Sequence, residues 1–335
     1  MKQNVGIVGF RGYSGVELVH LLSRHSGVTP ILLEHRQDAE HRPEPLGHGG
    51  PKRVPSTPDA IADTAITCVF LATPPEVSME LAGPLLDRNI KVVDLSGAFR
   101  LRTVENYAQW YKEEHKAPAL LTEAVYGLPE FYRERINPSV RLISNPGCYP
   151  TAANLAIAPL VADIIDTTAG IVCDAKSGTS GAGRKASLKT SFCEVTENFS
   201  VYSILDHRHV PEILMNSGIE EESFSFSAQL LPIDRGILET VYFRAKTGVT
   251  SEQILEAYQR RYANEPFVRL YKPGQVPDLR LIQRTNFCDI GFKYDPKTRR
   301  TVVVTAIDNL VKGAAGQAIQ NMNLILGFPE TEALL

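Results

Sequence analysis

The sequence predicts an α/β protein of two domains, a doubly wound parallel sheet followed by an α+β domain whose sheet is mostly antiparallel. Three observations carry this. The chain has 335 residues, beyond the size at which one hydrophobic core usually stops growing. From residue 4 to about 145, short apolar, β-branched runs alternate with amphipathic stretches, as expected of parallel strands buried on both faces between helices. After residue 165 the runs lengthen and alternate polar with apolar, as strands with one solvated face do.

Taken in order, "NVGIVGF", "TPILLEH", "TCVFLAT", "KVVDLS" and "VRLISN" are the strands of the first domain. "SGVELVHLLSRH" is its first helix, since Val16, Val19 and Leu22 with Leu18 and Leu21 recur at helical spacing. The Pro/Gly/His-rich residues 41–55 are expected as a loop and "VENYAQWYKEEH" as an inserted surface helix. "YPTAANLAIAPLV" forms a helix with Pro150 in its first turn, where a missing N–H costs nothing. In the second domain "SFSFSAQLLPI", "ILETVYFRAK" and "RRTVVVTAI" are strands, and "SEQILEAYQRRY" is a helix with Ser251 as its expected N-cap. The last helix, "KGAAGQAIQNMNLILGF", is apolar along Ala315, Ile319, Met322 and Leu326 and is expected to return to the first domain. The boundaries that follow are 1–147 for the first domain, with residues 311–327 returning to it, and 148–310 for the second.

Composition narrows the function classes. Hydrophobic residues make up 43% and charged ones 22%, the balance of an ordinary globular protein. With a net charge of −3 and no Lys/Arg-rich block, charge gives no support to a nucleic-acid partner. The cysteines (Cys68, Cys148, Cys173, Cys193 and Cys288) are odd in number and partly inside strand-like runs, which fits free thiols in a reducing cytoplasm rather than a disulfide framework. No run approaches ~18 apolar residues, and "MKQNVGIVGF" lacks the basic region and cleavage site of a leader. A cytoplasmic protein without a membrane segment is expected.

"VGIVGFRGYSGVEL" ends the first strand and opens the first helix with Gly9, Gly12 and Gly15. This G-x-x-G-x-x-G turn is a variant of the dinucleotide fingerprint, in which glycines allow a tight turn and a close backbone approach to pyrophosphate at a helix N-terminus. Tight packing alone would also explain glycines here. About 20 residues on, Glu34 suits a ribose 2′-hydroxyl and Arg36 a 2′-phosphate. Arg36 is better placed past the strand end, which favours NADP.

"SNPGCYPT" poses a different question, because a structural cysteine normally sits in an apolar run. Here a strand ends at Asn145, Pro146-Gly147 turns the chain, and Cys148 opens a helix. A thiol with an ordinary pKa near 8.5 is little ionised at neutrality, and a helix N-terminus favours its thiolate, the nucleophilic form. "LDHRHVPEI" supplies His207, His209 and Glu212, a histidine pair for proton transfer with a carboxylate three residues on to hold a ring in one tautomer. Zinc-like ligand spacing is absent, so no metal is expected. "KSGTSGAGRK" carries Lys176 and Gly181 in a segment able to present N–H groups to an anion. "DLSGAFR" places Ser96 and Arg100 past a strand's carboxyl end, where ligands bind in open parallel sheets. Arg100 suits a phosphate or carboxylate, and equally a structural ion pair.

The motifs taken together, "GxxGYSGxEL", "DLSxxFR", "YGLPE", "SNPGCYPT", "KSGxSGAGRK", "HRHxPE" and "KGAAGQAxQNMN", resemble the N-acetyl-γ-glutamyl-phosphate reductase family, relatives of aspartate-semialdehyde dehydrogenase, from residue 4 to about 327. The resemblance implies a Rossmann-type NADP-binding domain and a catalytic and dimerisation domain, in a homo-oligomer (dimer or tetramer) acting on a small-molecule acyl phosphate. It implies Cys148 as nucleophile, His209 as acid/base and Glu212 as its orienting partner. Gly9, Gly12, Tyr13, Ser14, Gly15, Arg36 and Gly181 would hold NADP, with Asn309, Gly316 and Gln317 toward the nicotinamide. Ser96, Arg100, Asn145 and Lys176 would meet the substrate, Asn145 also near the oxyanion. The activity implied is NADPH-dependent reduction through a Cys thioester to a semialdehyde, in arginine biosynthesis. Two other functions share these residues: reduction of aspartyl or carrier-bound α-aminoadipyl phosphate, and a non-catalytic NADP-binding redox sensor.

Overall fold

The computed structural model describes residues 2–35, 50–185 and 187–335. The chain forms two compact units, one of Met1–Ala108, Lys112–Pro146 and Ala314–Leu335, the other of Gln109–Tyr111 and Gly147–Gly313.

The first unit holds seven strands: β1 (Gln3–Val8), β2 (Val28–Glu34), β3 (Arg53–Pro55), β4 (Ile66–Leu71), β5 (Lys91–Asp94), β6 (Val125–Tyr126) and β7 (Leu142–Ser144). They are ordered β3-β2-β1-β4-β5-β7-β6, and every pairing is parallel. The apolar runs do not alternate because both faces are covered: Ile7, Val8, Val69, Phe70, Leu71, Val92 and Val93 are all fully buried, each contributing about 1.5–3 kcal/mol relative to exposure. The chain leaves β1 toward β2 on one side and β4 lies on the other, so the loops after β1 and β4 diverge at a switch point where ligands bind in such sheets. Two edge strands were not expected. β3 lies within residues 41–55, expected as a loop; its three residues pair with β2 from Leu32↔Arg53 to Glu34↔Pro55, while residues 41–49 lie outside the described residues. β6 has only two residues, too short for a period to register. The surface helix runs over Val104–Tyr111, with the Thr103 hydroxyl accepting the Asn106 N–H at 3.2 Å as its cap.

The second unit holds β8 (Ile171–Gly178), β9 (Ser200–Tyr202), β10 (Phe224–Leu231), β11 (Ile237–Arg244), β12 (Val268–Leu270), β13 (Cys288–Asp295) and β14 (Arg300–Ile307), ordered β12-β13-β14-β11-β8-β10-β9. Four pairings are antiparallel and two parallel, so the sheet is mixed with an antiparallel majority. Alternation sets its faces: Ile171, Cys173, Ala175 and Ser177 of β8 are buried, and Val172, Asp174 and Lys176 face the other way.

The helix Cys148–Val161 packs against β11 and β14. Pro159 lies inside it and has no N–H to give the Leu155 carbonyl. Tyr262 supplies the missing donor, its hydroxyl reaching Leu155 O at 2.6 Å, and Tyr258 donates to Ala156 O at 2.6 Å. Both tyrosines come from the helix Ser251–Tyr262, whose N-cap is Thr250 rather than Ser251. Thr250 and Gln253 form a reciprocal capping box, which satisfies two orphan donors where a serine one residue later would satisfy one. The final helix begins with a π-helical turn, Val311–Ala315, and continues as Gly316–Leu326, with residues Gly316 to Asn323 buried in the first unit.

Candidate active site

Cys148 is the first residue of its helix, after Gly147 as an N-cap with extended backbone (φ −69°, ψ 155°) and no side-chain cap. The positive end of the helix dipole thus favours a negative charge at the sulfur. The thiol is half-buried. Gly313 packs against it: a Cβ there would lie 2.8 Å from Cys148 Cβ, so only glycine permits this approach. Asp308 shapes the turn that carries Gly313. Its Oδ1 accepts from Leu310 N at 2.8 Å and Val311 N at 3.2 Å, its Oδ2 from Arg284 N at 2.6 Å and Arg235 Nη1 at 3.3 Å, and its carbonyl from Gly313 N at 2.9 Å.

Glu212 reaches the nucleophile's turn directly. It is fully buried in the first turn of the helix Val210–Ser217, and its Oε1 accepts the Gly147 N–H at 2.7 Å. His209 is the N-cap residue of that same helix. Its own backbone N–H donates to His207 Nδ1 at 3.1 Å, which leaves the proton of a neutral His207 ring on Nε2. Burial, then the neighbouring Arg208, pushes His207 down to about 4. His207 is therefore uncharged near neutrality and holds the backbone of His209. The two rings lie 4.9 Å apart, with Tyr149 edge-on to both at 5.4 and 5.9 Å. Tyr149 Oη and Tyr202 Oη are 2.9 Å apart, and burial pushes both phenols up, keeping them protonated. Cys148, Tyr149, Ser177, Tyr202, His207 and His209 line one cavity of about 560 Å³ within this unit.

The other expected residues of this unit lie around or away from that cavity. Gly181 lines it. Asn309 is buried beside it, accepting from Gly236 N at 2.7 Å and donating to Ser180 Oγ at 3.0 Å. Lys176 lies on the opposite face of β8 from Ser177, donating to Asp174 Oδ2 at 2.6 Å and outside the cavity lining.

In the first unit, Gly9 takes φ +80° and a Cβ there would meet the Ala72 carbonyl, while a Cβ on Gly15 would meet the Gly9 carbonyl. These two are glycines for the fold. Gly12 is not: its φ is −70° and a Cβ would meet only Gly9 O at 3.4 Å. Gly12 is the N-cap of the helix Tyr13–Leu22 and has no side-chain cap, so this helix end offers positive potential to an anion such as a pyrophosphate. Tyr13 and Ser14 follow in the first turn. Glu34, at the end of β2, has Arg11 at 3.6 Å and Arg53 at 3.8 Å. Arg36 lies outside the described residues.

Ser96 follows β5, where Asp94 accepts its N–H at 3.1 Å and its hydroxyl at 2.8 Å. Arg100 joins two strand ends, its Nε donating to Asn145 O at 2.9 Å and its Nη2 to Leu95 O at 2.8 Å. Asn145 Nδ2 donates to Ala314 O at 3.2 Å and its Oδ1 accepts from Asn321 at 3.1 Å. Gln317 donates to Gly127 O at 3.1 Å, beside the buried Gly316. Among the described residues no cluster of His, Cys, Asp or Glu could hold a metal, and no helix is long and apolar enough to cross a membrane.

Two family models divide the chain much as its units do. Residues 4–139 match the one described as semialdehyde dehydrogenase, NAD binding domain, and residues 148–309 the one described as semialdehyde dehydrogenase, dimerisation domain. The N-acetyl-gamma-glutamyl-phosphate reductase of Symbiobacterium thermophilum is 46% identical over 345 residues, with 100% of this chain and 98% of that protein covered. The chain belongs to the N-acetyl-γ-glutamyl-phosphate reductase family. The reductase of Geobacillus stearothermophilus is 45% identical, covering 99% of this chain and 97% of the relative. Among solved structures, aspartate semialdehyde dehydrogenase II of Vibrio cholerae complexed with ASA superposes with a TM-score of 0.73 at 16% identity, covering 98% and 99% of the two chains. Aspartate semialdehyde dehydrogenase with NADP from Candida albicans gives 0.67 at 16% identity, covering 98% and 99%. These last two establish the shared fold.

As a member of the N-acetyl-γ-glutamyl-phosphate reductase family the chain has three site features that its sequence motifs did not single out. Tyr202 precedes "HRHVPE" by five residues on the edge strand β9; an isolated tyrosine in a loop-like stretch gives no periodic signal. Asp308 precedes Asn309 at a strand end, a pair that favours local backbone capture. Gly313 stood inside the "KGAAG" motif, but nothing in sequence told that it faces a cysteine 165 positions earlier.

Proposed function

We propose that the chain reduces N-acetyl-γ-glutamyl phosphate to N-acetylglutamate 5-semialdehyde and phosphate with NADPH, in arginine biosynthesis in the cytoplasm, as a homo-oligomer. One observation carries this: a cysteine at a capless helix N-terminus shares a cavity with a histidine pair, and a buried carboxylate holds the turn before that cysteine.

The Cys148 thiolate attacks the acyl phosphate carbonyl, the C–O bond to phosphate breaks, and phosphate leaves with its electron pair to give a thioester. NADPH supplies the hydride that reduces the acyl carbon. His209 protonates or deprotonates the oxygen of the resulting hemithioacetal as the direction requires, and collapse releases the aldehyde and the thiolate. His207 stays neutral and fixes the His209 backbone, and Glu212 fixes Gly147 so that the sulfur keeps its place. Gly12, Tyr13 and Ser14 would hold the cofactor's pyrophosphate on the turn that Gly9 and Gly15 shape, and Arg36 would be the cation for its 2′-phosphate.

The test is phosphate-dependent NADP reduction with N-acetylglutamate 5-semialdehyde, aspartate semialdehyde and carrier-bound aminoadipate semialdehyde offered in turn. Turnover confined to the first is expected. Preference for another aldehyde would reassign the substrate, and NADP binding without any turnover would make Cys148 a redox switch.

A further inference from the structure

Among the described residues of the second unit, three carboxylates besides Glu212 are fully buried: Glu239, Asp289 and Asp308. Glu239 meets the Cys173 thiol at 3.5 Å inside the sheet. Asp289 is held by the Arg269 guanidinium at 2.6 and 2.9 Å and by the Tyr271 hydroxyl at 3.1 Å. Asp308 differs in what it holds, because backbone amides supply three of its four side-chain bonds: Oδ1 accepts from Leu310 N and Val311 N, and Oδ2 from Arg284 N and Arg235 Nη1. A carboxylate taken out of water is stable only with its oxygens satisfied in this way. Asp308 has no part in the acyl-transfer steps, and its partners all belong to turns.

Two lines of contact run from Asp308 to the cavity. On its own turn, Oδ1 takes the amides two and three residues on, as an N-cap side chain does. Its carbonyl takes the Gly313 N–H at 2.9 Å, five residues on, which is the bond of a π-helical turn. That turn lays the Gly313 backbone on the nucleophile: a Cβ on Gly313 would stand 2.8 Å from Cys148 Cβ and 3.3 Å from its Cα. The second line passes through Arg235 to the bend 233–236. This bend is bonded to the end of β8 by Gly178 N to Gly236 O at 2.9 Å, Thr179 N to Ile233 O at 2.9 Å and Ser180 N to Asp234 O at 3.0 Å. Gly178 and Gly181 line the cavity. One buried carboxylate therefore joins the backbone that braces the thiol to the backbone that walls its cavity.

We propose that Asp308 is a positioning residue for the reaction: by holding Gly313 and the 233–236 bend together, it sets where the Cys148 sulfur stands against the cavity. Being fully buried, it acts through these contacts alone. That the thiol is the nucleophile rests on the proposed reductase activity; that Asp308 sets its place does not. Only a carboxylate accepts on both oxygens. An asparagine at 308 turns its NH2 either on Arg284 N–H and Arg235 or on the Leu310 and Val311 N–H groups, so one side of the tie is lost whichever way the amide lies.

The test is alkylation by iodoacetamide, followed cysteine by cysteine with mass spectrometry across a range of pH, with kcat and KM measured alongside. Cys193 is exposed and Cys68, Cys173 and Cys288 are buried, so the first is an internal reference and the other three report unfolding. In Asp308→Asn, Cys148 should alkylate about three- to tenfold more slowly at neutral pH, with its midpoint raised, as the sulfur leaves the positive helix end. Turnover should fall by about 100-fold, the cost of a misplacement of about 1 Å, with KM for the acyl phosphate changing far less. Cys193 should react as before and the buried three should stay unlabelled. A folded variant in which Cys148 keeps its wild-type alkylation profile would overturn the proposal, whatever its loss of Tm; so would a changed profile with kcat unchanged. Gly313→Ala is the second arm, and it decides the matter if Asp308→Asn becomes labelled at the buried cysteines. It leaves the Asp308 side chain intact, its φ lies outside the left-handed region, and its Cβ crowds Cys148 directly. The same slower alkylation and lower kcat are expected, and wild-type values for both would overturn the route through Gly313. A wild-type protein that reduces no acyl phosphate, while the alkylation results hold, would defeat the reductase assignment and leave the positioning of the thiol standing.

Discussion

Two helices of this chain begin in the same way and are used differently. Tyr13–Leu22 and Cys148–Val161 each follow a glycine N-cap in extended backbone, and neither has a side-chain cap or an acidic residue in its first turn. Each therefore offers a positive end. At the first, Gly9 and Gly15 shape the turn, and a Cβ on Gly12 would meet only the Gly9 carbonyl oxygen. At the second, a buried carboxylate takes the N-cap amide, a glycine from residue 313 braces the first side chain, and that side chain is a thiol. The difference shows how a single backbone device becomes a binding site when its amides are left to a ligand, and a site of chemistry when the protein fastens one amide and supplies a nucleophile.

The largest test of this contrast is Cys148→Ser. It should cost several orders of magnitude in kcat, as loss of a nucleophile does, with NADPH affinity intact because the first helix end is untouched. Retention of more than about a tenth of the activity would remove the chemical role of the second helix end. His209→Asn should come next, lowering kcat by roughly 10²- to 10⁴-fold, and His207→Asn should cost far less. Their pH behaviour separates them further. His207 is depressed from 6.5 to about 4 in the folded protein, so between these values the unfolded chain binds the extra proton and stability falls as pH drops through that window. His207→Asn should flatten the loss of Tm between pH 6.5 and 4 without moving the limb of the kcat/KM profile near neutrality. A shift of that limb in His207→Asn would reverse the two roles.

Glu212→Ala should reduce kcat by about 10- to 100-fold, the equivalent of one hydrogen bond to a charged group. Glu212→Gln should recover most of it, because an amide oxygen still accepts the Gly147 N–H. If the Gln variant is as poor as the Ala variant, the carboxylate acts by its charge on His209 rather than by fastening the turn. The smallest effect belongs to the other helix end. Gly12→Ala should leave Tm unchanged, since neither its φ nor its surroundings forbid a Cβ, and should weaken NADPH binding by about tenfold, near 1.4 kcal/mol. Unchanged binding would mean that no pyrophosphate approaches there.

Much of this was legible in sequence where a residue's partner is its own neighbour. The turn before Cys148, the strand β1 and the glycine turn are local statements, and local chemistry determines them. The capping box was local too: Thr250 and Gln253 carry its signature, and preferring Ser251 overlooked the reciprocal bond. What sequence did not reveal depends on distance along the chain. Glu212 was expected as the partner orienting His209; that its Oε1 also accepts from an amide 65 positions earlier is a contact no local spacing announces. Lys176 reads as an anion ligand in a Gly-rich segment, but strand alternation turns it to the face opposite Ser177, where Asp174 holds it. The edge strands β3 and β6 are too short, at three and two residues, to carry a period.

Gly313 and Cys148 also have a meaning for how the protein is made. They are nearly the last and first residues of a unit that runs almost unbroken from Gly147 to Gly313, and they touch. A segment whose ends meet can close on itself as it leaves the ribosome, in the manner of an inserted domain. The first unit cannot: its last helix, Gly316–Leu326, is buried in it and is synthesised after everything else. The order of completion during synthesis is therefore inverted, with the thiol-bearing unit finished first and the nucleotide-binding unit held incomplete until its C-terminal helix emerges.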